Sequence, residues 1–408
     1  MDKNYLKYEK PIAVLGAGAL GKAIACDCKL AGNSDVRICD IRPYSDVSLN
    51  GVEKSGITIT GDQINLYGFT RSGRAYVDMV TDDVSKAVKG AGIIIIAIPG
   101  TGHEAFFKQL IPCLEDGMII HIIPDNYGCF KFRKLMRETG CCKDVIVGGW
   151  LGPDFDARVI IEGGVTTNTV RLGYRALYGI GCAFPEKDTD KFFESTKYIG
   201  CFDSMHEGQG LKKADSILGL DLSLSNPILH TAGLVMGASV LENFESMLGG
   251  KLEDFSIYSH AFCPSISKVQ YQFYLETLAI GKAMGLDVCT YSEEQFYSRE
   301  SIAGVKYMGK DYSIGFNEIN HIAWGTGPTS VRSRYLTEDV PIGCHLLHLF
   351  GKLCGVKTPV IDSLITLAST MLDEDYFETG MQFDQLGLND MTKEEMVNYA
   401  RTGERPEL

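Results

Sequence analysis

The chain has 408 residues, a formal net charge of −13, and 45% hydrophobic against 22% charged residues. This length exceeds one ordinary domain and predicts two, each long enough to bury its own core. The acidic balance, with no basic run, argues against nucleic acid or an anionic membrane as partner, and the apolar run 93–98 is far too short to span a bilayer.

The opening residues lead almost at once into a strand-like run, which predicts no signal peptide. The 13 cysteines are scattered and lack metal-type C-x-x-C spacing, as expected of a reduced, cytoplasmic protein. Residues 12–15, Ile-Ala-Val-Leu, read as a buried parallel strand. Gly16, Gly18 and Gly21 follow with G-x-G-x-x-G spacing and open a helix that runs through Leu30. Gly16 permits the tight turn, Gly18 lets a pyrophosphate approach the backbone, and Gly21 lets the helix pack close to the strand. The free N–H groups at the helix start, around Ala19 and Leu20, then face the phosphate charge. A second strand, 36–39, ends in Asp40, about twenty residues beyond the motif, where a ribose-binding acid belongs. Together these features predict a dinucleotide site. Asp40 would accept from ribose hydroxyls and repel a 2′-phosphate, which favours NAD. Arg42, two residues on, would pair with that phosphate and leaves NADP possible.

Beyond Asp40, the runs 56–61 and 64–69 predict a β-hairpin. A helix-like segment at 84–89 leads into the strand 93–98, which Pro99-Gly100 ends. A helix at 102–114, a strand at 118–123, a turn at Pro124-Asp125-Asn126, a helix at 129–138 and a strand at 144–147 complete the alternation. This rhythm predicts a doubly wound parallel sheet with its ligands at the carboxyl ends of the strands, so Pro99 should point toward the cofactor. His103, at the same junction, either lines the nicotinamide side or starts its helix bonded to backbone. Strands 159–162 and 168–172 read as a hairpin across Gly163-Gly164, and 185–210 reads as a linker. From about Lys212 apolar residues recur at helical spacing, as in 228–241, 266–284 and 360–371. The expected fold is therefore α/β: an N-terminal Rossmann doubly wound parallel sheet over 1–204 and a C-terminal all-helical domain over 205–408.

A dinucleotide fold serves many chemistries, so function has to be argued from the helical half. Asn226-Pro227 with His230 looks like a helix start, with Ser225 or Asn226 as cap and the histidine one turn in. Such a histidine titrates near neutrality and works as acid or base, unless it simply bonds a core carbonyl. A second cluster, 328–341, holds Arg332, Arg334, Glu338 and Asp339 among Tyr335, Leu336 and Val340. Interleaving of that kind predicts partial burial, and buried guanidinium or carboxylate groups must be paired or bind a ligand.

With these residues in view, the chain resembles the octopine/opine dehydrogenase family. Asn226-Pro227 with His230, the run 333–341 (Ser-Arg-Tyr-Leu-Thr-Glu-Asp-Val-Pro), the segment 351–367, the glycine motif and Ile98-Pro99 carry the resemblance. It implies reductive condensation of a 2-oxo acid, usually pyruvate, with the amino group of an amino acid, using NAD(P)H. It further implies His230 as acid/base oriented by Asp339, Arg334 as the fork that holds the oxo-acid carboxylate, and Asn226 beside the substrate. A homodimer is a further expectation from the resemblance. The chain departs from the family pattern at 147–153, where Trp150 stands in a place usually small and hydroxylated; Trp150 either shapes the oxo-acid pocket or is core. Cys344, His345 and His348 replace apolar residues. Without a third ligand at known spacing they predict helix packing or pocket lining, and no metal is expected. Two rival readings stand beside this one. A β-hydroxyacid or ketopantoate-type dehydrogenase, acting on a single carbonyl, would use Lys212 or Lys213 after Gly208 and Gly210 as its acid. A dinucleotide-binding regulator would need no catalysis at all.

Overall fold

The computed structural model describes residues 7–61, 71–153, 155–176, 178–208, 210–288, 290, 292–296 and 326–406. The chain forms two compact units, Met1–Asp221 with Asn398–Leu408, and Leu222–Val397.

The first unit is built on an eight-stranded sheet of order β12-β11-β8-β7-β6-β1-β2-β5. Its strands are β1 (Ile12–Leu15), β2 (Val36–Cys39), β5 (Met79–Thr81), β6 (Ile93–Ile96), β7 (Ile119–Ile122), β8 (Ile146–Trp150), β11 (Tyr178–Ala183) and β12 (Gly210–Lys213). β1 pairs in parallel with β2 on one side and β6 on the other, with Ile12 beside Val36 and Ile93. The connection order reverses there, which opens a crevice at the carboxyl ends of β1 and β6. Both strands are fully buried, and this is why they read as unbroken apolar runs. The sheet is not wholly parallel, because β11 runs antiparallel to β8. A second sheet, β4-β3-β10-β9, holds β3 (Ile57–Gly61), β4 (Gly73–Ala75), β9 (Phe155–Glu162) and β10 (Val165–Arg175). The predicted hairpin over Gly163-Gly164 is its β9–β10 pair. Of the other predicted hairpin, only the first strand is described; 64–69 lies outside the described residues. A buried charge cluster ties the second sheet to the helix Ala19–Leu30: Arg175 and Arg71 both bond the Asp27 carboxylate, and Arg71 also bonds Asp203.

The segment expected to be a linker is instead part of this core. Helices Thr189–Ser195 and Asp203–Glu207 and the turn Gly200–Phe202 before the second bury Phe192, Met205 and Phe202, and Phe192 and Phe202 pack on Trp150 and His121. The compact division accordingly falls after Asp221, not at 204/205, because β12 is paired to β11 at the sheet edge. The chain end also returns to this unit: Tyr399 is buried against Phe130 and Phe184, and Arg401 pairs with Asp215.

The second unit is helical among the described residues, apart from an isolated bridge between Ser256 and Gly327. Its long helices, Ala232–Glu242, Pro264–Met284, His345–Cys354 and Pro359–Leu372, agree with the predicted periodicity. Glu276, on the longest of them, accepts from the N–H groups of Val360 and Ile361 and so satisfies the open end of Pro359–Leu372. Three further segments are wound as π-helix: Pro227–Thr231, Ile257–Ala261 and Asp339–Cys344. Such widened turns occur often at functional sites.

Candidate active site and dinucleotide site

The glycine turn is shaped for a phosphate. Gly16 has φ +99°, and a Cβ there would stand 2.4 Å from Ile98 Cγ2. A Cβ on Gly21 would fall 1.8 Å from the Gly16 carbonyl oxygen, so helix and turn can touch only without side chains. At Gly18 the case is opposite: the backbone is exposed and nothing lies within 4 Å of a built Cβ. The helix Ala19–Leu30 carries no side-chain cap, which leaves the amides of its first turn, including those of Ala19 and Leu20, open to a ligand. Open space at Gly18 above uncapped amides is what a pyrophosphate requires, and the residues present fit a dinucleotide. Pro99 is exposed just past β6.

Asp40 sits at the end of β2, buried, and accepts from the Ala17 and Ile41 N–H groups at 3.1 and 2.9 Å and from the Ser48 hydroxyl at 2.7 Å. It therefore fastens the glycine turn to β2. Lys22, buried on the same helix, donates to Asn168 at 2.9 Å; burial pulls its pKa down to about 8, with Asp40 working in the opposite direction. Arg42 is exposed and pairs with Asp82 at 3.0 Å. None of Ser48, Lys22 or Asn168 is marked by the glycine motif.

In the second unit, His230 lies on the π-helical turn Pro227–Thr231 and is buried. Its Nδ1 meets Asp339 Oδ2 at 2.7 Å, and its Nε2 meets the Tyr258 hydroxyl at 2.8 Å. The Tyr335 ring lies flat on the imidazole, with centroids 3.7 Å apart and planes within 8°. Gly343 allows the turn bearing Asp339 to approach, since a Cβ there would meet Pro227 Cγ at 2.2 Å. A carboxylate can only accept, so Asp339 fixes the Nδ1–H tautomer and leaves Nε2 as the acceptor. An imidazole so oriented, with a second hydrogen-bonding group on its far nitrogen, is built to pass protons.

Several expectations need correction. The turn before His230 is not capped by a side chain: Asn226 is itself helical and its side chain makes no such bond, because the turn continues backward through Leu229 N–H to the Ser225 carbonyl. In the run 328–341 the carboxylates of Glu338 and Asp339 are buried but the guanidinium groups are not, since Arg332 and Arg334 are both exposed. Arg332 bonds the Leu372 carbonyl oxygen, whereas the guanidinium of Arg334, next in sequence to Tyr335, has no ion pair or hydrogen bond among the described residues. Trp150 does not face a ligand. It is 1% exposed, donates to His121 Nδ1 at 3.1 Å and stacks on Phe192 and Phe193. His103 is likewise core, packed on Phe107, and burial holds its ring neutral. His345 bonds Gln382 and His348 bonds Asp362, so both serve helix packing. Lys212 and Lys213 lie on the edge strand β12, not on a helix; Lys213 pairs with Glu186 and Lys212 lies over the Tyr178 ring.

Known proteins bear directly on this arrangement. A family profile described as "NAD/NADP octopine/nopaline dehydrogenase, alpha-helical domain" matches residues 213–372, the stretch that holds His230, Tyr258 and Asp339. The chain is 25% identical over 395 residues to an opine dehydrogenase of Arthrobacter sp. (strain 1C), covering 94% of this chain and 96% of that one. Over almost its whole length the chain is similar to octopine/opine dehydrogenases. Among solved structures, an octopine dehydrogenase with NADH and L-arginine superposes with a TM-score of 0.69 at 15% identity, covering 98% and 99% of the two chains. A yersinopine dehydrogenase bound to NADP+ does so with 0.66 at 12%, covering 97% and 99%. Both show the shared fold. Tyr258 and Tyr335 are the neighbours of His230 that sequence reading missed. Tyr335 lay inside the quoted motif as a mere apolar spacer, and no spacing rule marks Tyr258.

Proposed function

We propose that this chain is an opine dehydrogenase that condenses a 2-oxo acid, pyruvate foremost, with the amino group of an L-amino acid. The amine nitrogen adds to the oxo carbon, the oxo oxygen leaves as water, and reduction of the resulting imine gives a secondary-amine dicarboxylate. The reverse direction oxidises that product. The reduced nicotinamide supplies the hydride; the chain supplies everything else. His230, oriented by Asp339, takes the proton that the amine must lose and returns one to the departing oxygen. Proton transfer by a positioned group is worth about 10²–10⁴ in rate. Arg334 receives the oxo-acid carboxylate, for which a bidentate fork that never loses its charge is suited. Asn226, at the start of the same turn as His230, is assigned to the substrate as well. The observation that carries the reading is the 2.7 Å pairing of a buried imidazole with a buried carboxylate, in a chain that also has an open glycine turn.

NAD is the proposed carrier, with NADP the alternative. Asp40 places negative charge beside the glycine turn, and Arg42 is engaged with Asp82 and so is not preset for a 2′-phosphate. A cytoplasmic location agrees with the cysteines described, all of which are free. Assembly as a homodimer is proposed on family resemblance, and sedimentation analysis tests it. The reaction itself is tested by NADH oxidation that needs both pyruvate and an amino acid, with a product mass equal to both acids less water plus two hydrogens. Oxidation with a lone carbonyl substrate would favour the ketopantoate-type reaction instead.

A further inference from the structure

We propose that Tyr258 is the residue that meets the reacting amine and the departing oxygen, and that His230 exchanges protons with them only through the Tyr258 hydroxyl. The inference rests on the opine reading of the site. A neutral imidazole has one lone pair in its plane, on the nitrogen that carries no proton. In His230 that nitrogen is Nε2, and the Tyr258 hydroxyl already occupies it at 2.8 Å. A substrate can therefore reach the lone pair through the phenol or by displacing it.

The packing argues against displacement. Asp339 holds the other ring nitrogen and Tyr335 covers one face of the imidazole at 3.7 Å, so the histidine cannot rotate away. Tyr258 is held too. It sits in the π-helical turn Ile257–Ala261, whose Ser259 and His260 N–H groups donate to the Ser256 hydroxyl and carbonyl oxygens, and Ser256 N–H donates in turn to His260 Nδ1 at 2.9 Å. Its ring meets Phe262 edge-on at 5.3 Å. The whole turn is docked where Gly233 leaves room, since a Cβ on Gly233 would stand 2.3 Å from Phe262 and 2.9 Å from Ile257. All three proton-handling groups thus ride on widened helical turns fixed by their neighbours.

The relay balances. When the amine is deprotonated, its proton passes to the Tyr258 oxygen while the phenol proton passes to His230 Nε2. When the hydroxyl of the addition product leaves as water, the phenol proton goes to that oxygen and His230 returns the proton it held. Tyr258 is neutral before and after each transfer, and Asp339 stabilises the imidazolium between them.

Tyr258→Phe removes one oxygen and keeps the ring contacts. The expected result is a fall in kcat of about 100-fold or more, with cofactor affinity and both KM values within about threefold of wild type. A proton inventory on the wild-type enzyme, in mixtures of H2O and D2O, should be bowed, because two protons move in one step. A Tyr258→Phe enzyme that keeps its kcat, a drop in KM for the oxo acid in that variant, or a linear inventory would each overturn the relay. Should the wild type form no condensed product, the opine reading itself fails; a wild type that forms it beside a fully active variant sinks the relay alone.

Discussion

Asp339→Asn isolates what the carboxylate does for His230. The pair is 2.7 Å apart, and the two side chains are only 7% and 9% exposed, so water cannot substitute for a lost partner. An asparagine keeps the size and one acceptor oxygen, but its amide can turn its N–H to Nδ1 and favour the opposite tautomer. Nε2 would then carry the proton and could no longer accept one. In a Ser-His-Asp triad this kind of change costs about 10⁴ in kcat, or about 5 kcal/mol of barrier. Here Tyr258 still bonds the far nitrogen and limits the shift, so the expected loss is about 10²–10⁴. The assay is steady-state NADH oxidation with both substrates saturating, beside NADH affinity measured by fluorescence. Affinity should stay within about twofold, since the glycine turn is built from other residues. A kcat within threefold of wild type would refute the assignment of His230 and Asp339 as a working pair.

Other residues yield further expectations. Arg334→Lys replaces a planar fork by a point charge and should raise the KM for the oxo acid by about 10- to 100-fold with little change in NADH affinity; an unchanged KM would remove Arg334 from the site. Gly18→Ala should fold normally, because a Cβ there meets nothing within 4 Å, yet weaken NADH binding. Gly21→Ala should instead lower the melting temperature, because its Cβ would lie 1.8 Å from a carbonyl oxygen; equal effects of the two on both readouts would contradict this. The last concerns pH. Full burial pushes Asp125 up to about 6, and full burial beside the Asp125 charge pushes Asp221 well above the usual carboxylate range, so Asp221 keeps a proton that it shares with Asp125. A carboxyl with a raised folded-state pKa contributes its full stability below about pH 4, and the contribution is lost as pH rises through the raised values. Asp221→Asn can still accept from Tyr127 N–H and needs no shared proton. Its melting temperature should thus gain on wild type between pH 5 and 8 and not near pH 4; a pH-independent difference would refute the shared proton.

The sheet and the glycine turn were legible because their signals are local. Apolar runs such as Ile93–Ile96 and the spacing of Gly16, Gly18 and Gly21 each fall within a few residues. The segment 185–210 was opaque for the opposite reason. Its helices are only seven and five residues long, too short for a period to emerge, and Phe192 and Phe202 find their partners in Trp150 and His121 across the sheet. Trp150 could not be assigned to core or pocket until those neighbours were known. His230 and the cluster that holds Asp339 stood out in the sequence itself, their pairing came from the resemblance, and the structure joins them across 109 residues. The π-helical turns that carry them break the 3.6-residue period that sequence reading relies on, so Tyr258 had no pattern to betray it. Arg334 was expected to be buried because Tyr335 and Leu336 follow it; those two are buried, and the guanidinium extends from the exposed side of a four-residue helix.

The most direct test of the chemistry follows the hydride. Reduced nicotinamide carrying deuterium at C4 should be incubated with enzyme, pyruvate and a panel of amino acids, and the products weighed. The expected result is a secondary-amine dicarboxylate with deuterium on the former oxo carbon, formed only when both acids are present and lost in His230→Ala. Deuterated lactate in place of the amine, formed from pyruvate alone, would contradict hydride delivery to a carbon–nitrogen double bond.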